Sequence, residues 1–93
     1  TIATEPTVDK NAEWKQRKAA QAAVRKMERE LAKCEERIAF IEERTATIDE
    51  EMAKPEICSN SVKLQELQKE KDTLEEEMMT LMERWEELSE ELS

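Results

Sequence analysis

The chain has 93 residues, a formal net charge of −9, 42% charged and 3% aromatic residues, and neither glycine nor histidine. Such a chain is at most one domain and cannot bury a thick globular core; without histidine it has no imidazole chemistry. No apolar stretch of the ~20 residues needed to cross a bilayer is present, and there is no charged-then-apolar leader.

Residues 1–11 begin TIATEPTVDK and carry no helical period. Their β-branched residues and Pro6 favour an extended tether. Asp9 or Asn11 is suited to cap a first helix running from about Ala12 to Ala53. Along it, Ala20, Val24, Met27, Leu31, Cys34, Ile38, Ile41, Thr45, Ile48 and Met52 recur at steps of four and three, which keeps one face on a partner helix. Pro55 stops that helix by removing an N–H donor and disfavouring α geometry at Lys54, so residues 54–60 form the turn. Asn60 or Ser59 caps a second helix running to about Leu92, with a matching seam of Leu64, Leu67, Lys71, Leu74, Met78, Leu81, Trp85, Leu88 and Leu92.

Each seam is the nearest available partner of the other, so the expected fold is all-α, a two-helix antiparallel coiled-coil hairpin, monomeric or weakly dimeric. The expected layers pair Ile48 with Leu64, Thr45 with Leu67, Ile38 with Leu74, Leu31 with Leu81, Met27 with Trp85, Val24 with Leu88 and Ala20 with Leu92. In that register the flanks bring together Glu51 with Lys63, Arg44 with Glu70, Arg37 with Glu77, and Glu30 with Arg84. A slip of one heptad toward the C-terminus would set Arg37 against Arg84 and Glu51 against Glu70, so charge selects the register. Lys71 is expected opposite Ile41 with its stem packed and its ammonium in water. Trp85 is expected to fill a layer beside Val24 and Met27, whereas Trp14 precedes the seam and either covers its open end or meets a partner.

Cys34 lies in the first helix and Cys58 in the turn, roughly 30 Å apart at ~1.5 Å per helical residue, too far for a disulfide. Free thiols point to a reducing compartment, the cytoplasm. The carboxylates are spread along helix faces, so neither a catalytic site nor a metal site is expected. The feature that points to function is a basic stripe: Lys15, Arg17, Lys18, Arg25, Lys26, Arg29 and Lys33 crowd the first helix, against only Glu28 and Glu30 in the same stretch. All except Arg17 fall on the outward face. A basic stripe with no seam duty suits phosphates, read locally and without base specificity. A solvated helix face is the plainer account, because Glu83, Glu86, Glu87, Glu90 and Glu91 fold back beside it.

The stretch RKMERELAKCEERIAFIEE, the turn KPEICSN followed by SVKLQELQKEKDTLEEE, and the ending MERWEELSEEL together resemble the C-terminal coiled-coil domain of ABC-F ATPases. These are ATP-binding-cassette proteins with two nucleotide-binding domains and no membrane part. The resemblance covers roughly Trp14 to Leu92; it departs at Cys58, where the family often has a tyrosine. It implies a non-catalytic appendage of a larger ATPase, attached through the tether, whose parent binds ribosomes and acts on translation. It implies partners in ribosomal RNA or DNA and in the parent's own ATPase domains. ATP and Mg belong to those domains, since this segment has no GxxxxGK[ST] motif. Two other readings stand beside it: a structural protein-binding coiled coil whose helices pair between chains, and a tRNA-binding arm of a synthetase.

Overall fold

The computed structural model describes the backbone of residues 4–93 and the side chains of residues 11–93, as a rod 85 × 17 × 15 Å. It contains three helices, α1 (Thr4–Met52), α2 (Pro55–Cys58) and α3 (Ser61–Leu92), and no strand among the described residues. The architecture is all-α. In place of the expected two helices and irregular turn, the break itself winds into the single turn of α2.

α1 starts earlier than the expected Ala12. Residues 1–3 of the expected tether lie outside the described residues, but from Thr4 onward the backbone is helical. Pro6 does not prevent this, because in the first turn of a helix the missing N–H has no acceptor to lose. Asp9 and Asn11 therefore lie inside α1, and neither caps it. The break follows the chemistry of proline. Lys54 is extended (φ −69, ψ 136), as a residue before proline prefers, and Pro55 takes the first position of α2. Ser59 N–H donates back to the Pro55 carbonyl at 3.2 Å. Asn60 then caps α3 as expected, its side chain accepting from Lys63 N–H at 3.2 Å.

α1 and α3 pack along each other, and their partners run in opposite directions in sequence. Arg37 meets Glu77, Arg44 meets Glu70, and Arg84 meets Glu30. These are three of the four expected flanking pairs; Glu51 and Lys63 form no ion pair. Between the helices, Ile41, Ile48, Leu67 and Leu74 make the buried cluster, with Met52, Ile57, Met78 and Leu81 packed against it. Ile48 and Leu88 are 0% exposed. Thr45 sits in this seam at no polar cost, since its hydroxyl donates to the Ile41 carbonyl at 2.9 Å. Both cysteines are free, Cys34 buried and Cys58 exposed with its thiol on the Met52 carbonyl.

Two seam residues turn outward onto carboxylates. The Lys71 ammonium reaches the exposed edge of the seam, as expected, and there binds the Asp49 carboxylate at 2.6 Å, a hydrogen bond that raises the ammonium pKa. Trp85 does not fill a layer with Val24 and Met27. It stays 36% exposed, and its indole N–H donates to Glu35 at 3.1 Å, while Val24 is left exposed. A charge and a bulky ring both fit a narrow two-helix seam poorly, and each leans out onto a carboxylate of α1.

Candidate functional site

The seven basic residues read from the sequence lie on α1 between Lys15 and Lys33, a stretch of about 27 Å at ~1.5 Å per residue. All seven are exposed. They differ in their partners from Arg37, Arg44, Lys71 and Arg84, the cations that border the seam and form ion pairs; Lys54, Lys63 and Lys69 are, like the seven, without an ion pair among the described residues. Arg37 and Arg44 each grip one glutamate with two parallel bonds, and Arg84 holds Glu30 through Nε and Nη2 while Nη1 reaches Glu87. Lys71 is held by Asp49. None of Lys15, Arg17, Lys18, Arg25, Lys26, Arg29 or Lys33 forms an ion pair with a carboxylate among the described residues.

The stripe is not electrostatically uniform. The Arg84 hydrogen bond, chiefly, holds the Glu30 carboxyl below the ordinary carboxylate range, and the charges of Lys26 and Lys33 add to the effect. Those two lysines therefore feel a neighbouring anion, although they do not bond to it. Toward the start of the helix, Lys18 places Nζ 4.9 Å from the centre of the Trp14 ring. Trp14 is 57% exposed and shares a shallow hollow with Arg17, Lys18 and Gln21, all on α1, so it does not close the end of the helix pair. A planar aromatic beside a lysine presents a stacking surface next to positive charge.

One feature farther along α1 was not expected from the sequence. Because Trp85 leans outward, it forms an open groove of about 420 Å³ with Glu35, Ile38, Ala39, Glu42 and Met82. The available signal was the off-seam Met79 and Met82 together with the acidic residues Glu35, Glu42 and Asp49, which recur every seven positions. Among the described residues, no group of three or more acidic or thiol side chains is arranged to hold a metal ion. No described helix is long and apolar enough to cross a membrane.

No match was found among curated proteins or among solved structures. Residues 23–90 do match a known family, described as the ABC transporter C-terminal domain. The matched span begins where α1 comes alongside the last turns of α3, and it includes Arg25, Lys26, Arg29 and Lys33 but not Trp14, Lys15, Arg17 or Lys18. It covers most of the chain, which belongs to the ABC transporter C-terminal domain family.

Proposed function

We propose that these residues form the non-catalytic C-terminal interaction module of an ABC-F ATPase, an antiparallel coiled-coil hairpin that contacts ribosomal RNA or another nucleic acid through the outward stripe of α1. The observation that carries this reading is the division of cations. Arg37, Arg44, Lys71 and Arg84 beside the seam are spent on carboxylates, while Lys15, Arg17, Lys18, Arg25, Lys26, Arg29 and Lys33 are exposed and form no ion pair among the described residues. Exposed cations spaced along one helix face are suited to successive phosphates, and displacing condensed counterions supplies the driving force. The side chains offer no fixed planar arrangement for base edges, so binding reads charge and shape. ATP and Mg are assigned to the nucleotide-binding domains of the parent, which also supply most of the docking surface; the module works in the cytoplasm.

Reversing Lys18, Arg25 and Arg29 together to Glu tests the reading. We expect weak, salt-sensitive binding of the wild-type chain to a structured RNA or a DNA duplex, with an affinity in the ~μM range or weaker. The triple variant loses it with helicity unchanged in circular dichroism, since none of the three side chains is buried. Each lost phosphate contact lowers the slope of log affinity against log salt by about one unit. Binding unaffected by the triple reversal would leave the stripe as a solvated face and favour a structural, protein-binding role.

A further inference from the structure

The two flanks of the α1–α3 pair are not alike. Bidentate Arg–Glu pairs close one of them. On the other, Ile38, Ala39, Met82 and Trp85 floor the 420 Å³ groove, with Glu35 and Glu42 at its edge. A second open hollow, of about 500 Å³, lies farther along the same flank past Met78 and Met79 toward Asp49 and Glu75. Met82 is 47% exposed and Met79 68%, large apolar areas for side chains that lie next to each other on a helix. Glu35 holds the Trp85 indole and Asp49 holds Lys71, but Glu42 and Glu75 form no ion pair among the described residues. Flexible thioethers beside an aromatic ring, edged by carboxylates, suit an amphipathic helix that carries one large apolar side chain and cations at its margin.

We propose that this groove receives the basic part of α1, from Trp14 to Arg25, of a second copy of the same chain. The complementarity is specific in spacing. Lys18 and Arg25 are seven residues apart, as are Glu42 and Glu35, so an antiparallel helix laid along the flank sets Lys18 against Glu42 and Arg25 against Glu35 together. Trp14, one turn before Lys18, then falls one turn past Glu42 and lays its apolar ring over the second hollow beside Met78 and Met79. The arrangement is also reciprocal. The basic segment and the α1 wall of the groove lie on one rigid helix, their centres about 19 residues or ~28 Å apart, so a two-fold axis midway seats each copy's segment along the other's groove. This gives a closed dimer with two equal contacts. The duplication matters because specific interfaces bury ~1,200–2,000 Å² in total, and one short helix in one groove falls near the lower end. The dimer contact and the nucleic-acid reading share Lys18 and Arg25, so a second copy and a nucleic acid would compete for these two cations, whereas Lys15, Lys26, Arg29 and Lys33 lie outside the dimer contact.

Sedimentation equilibrium of the full chain from about 1 μM to about 1 mM tests it. We expect a concentration-dependent monomer–dimer equilibrium. Met82→Glu and Glu42→Lys each weaken it at least ~tenfold with helicity intact, because both side chains are exposed. Adding Lys18→Glu to Glu42→Lys recovers most of the loss, since the ion pair is restored with its signs exchanged. A monomer throughout the range, open-ended assemblies in place of dimers, or association undiminished by Met82→Glu would overturn the proposal. RNA binding of Met82→Glu keeps the two questions separate: it survives when the dimer is lost. Failure of the wild-type chain to bind RNA leaves the dimer prediction standing.

Discussion

Along α1, two rows of charged residues border the seam at the same seven-residue interval, one through Glu30, Arg37 and Arg44, the other through Glu35, Glu42 and Asp49. The first row faces Arg84, Glu77 and Glu70 of α3 and is closed by paired hydrogen bonds at each position. The second faces Met82, Met78 and Glu75 and is only partly closed, since Glu35 and Asp49 are bonded to α3 while Glu42 has no ion pair among the described residues. Periodicity along one helix marks which residues border a seam; the side chains across from them decide whether that border becomes a lock or a groove. Lys71 and Trp85 show the same asymmetry from the α3 side. Fourteen residues apart, both leave the seam for the open row, one onto Asp49 and the other onto Glu35.

The largest effect should come from the seam, which underlies both flanks. Ile48→Ala removes a fully buried side chain from the central cluster and should cost about 2–5 kcal/mol in urea unfolding. Trp85→Ala should cost less, about 1–2 kcal/mol, because its ring lies over the open groove and is partly in water. A cost equal to that of Ile48→Ala would place the indole inside the seam after all. Fluorescence sharpens the point: both tryptophans are exposed, so Trp85 should emit only slightly to the blue of Trp14.

Acid should act on the closed flank. Hydrogen bonds from Arg84, Arg44 and Arg37 hold the Glu30, Glu70 and Glu77 carboxyls below their ordinary range. A carboxyl whose folded pKa is depressed adds stability that is fully present above its unfolded value, roughly 4.3, and is lost as pH falls through the folded value. Thermal midpoints should therefore be flat from neutrality to about pH 5 and fall below about pH 4. With Arg37, Arg44 and Arg84 replaced by Gln, the fall attributable to these three carboxyls should disappear. The smallest effects separate the flanks directly. Arg44→Glu should lower the urea midpoint slightly and Glu70→Arg in the same molecule should recover part of the loss, whereas Glu42→Arg on the open flank should show no coupling to Glu70.

Much of the fold is legible in the sequence for a simple reason: steps of four and three leave a helix one apolar face, and charge across the flanks admits one register. Asn60 and Pro55 act through short-range backbone chemistry, which is equally readable. Three features escape. The helical state from Thr4 onward shows that β-branched residues and Pro6 are tolerated where a first turn needs no donor. α2 arises because proline both ends one helix and starts another. The groove depends on Trp85 choosing Glu35 over the seam, a choice between packing volume and one hydrogen bond that periodicity does not encode. The basic stripe was legible as outward-facing positions; that it forms no ion pair among the described residues emerged only with the register, which commits Arg37, Arg44, Lys71 and Arg84 to carboxylates.

The central claim is that α1 and α3 of one chain lie side by side in opposite directions, which fixes the closed flank, the open flank and the stripe together. Pulsed electron–electron distance measurement between nitroxides tests it most directly. After Cys34→Ala and Cys58→Ser, one sample carries labels at Glu36 and Glu76, another at Ala22 and Val62, all exposed positions, each diluted with unlabelled chain. The account predicts one short distance for the first pair, roughly 20–30 Å across two helices whose axes are ~10 Å apart. It predicts about 40 Å or more for the second, since some 28 residues of helix at ~1.5 Å each separate those sites along the rod. The reverse order, or a first distance that vanishes on dilution, would contradict it.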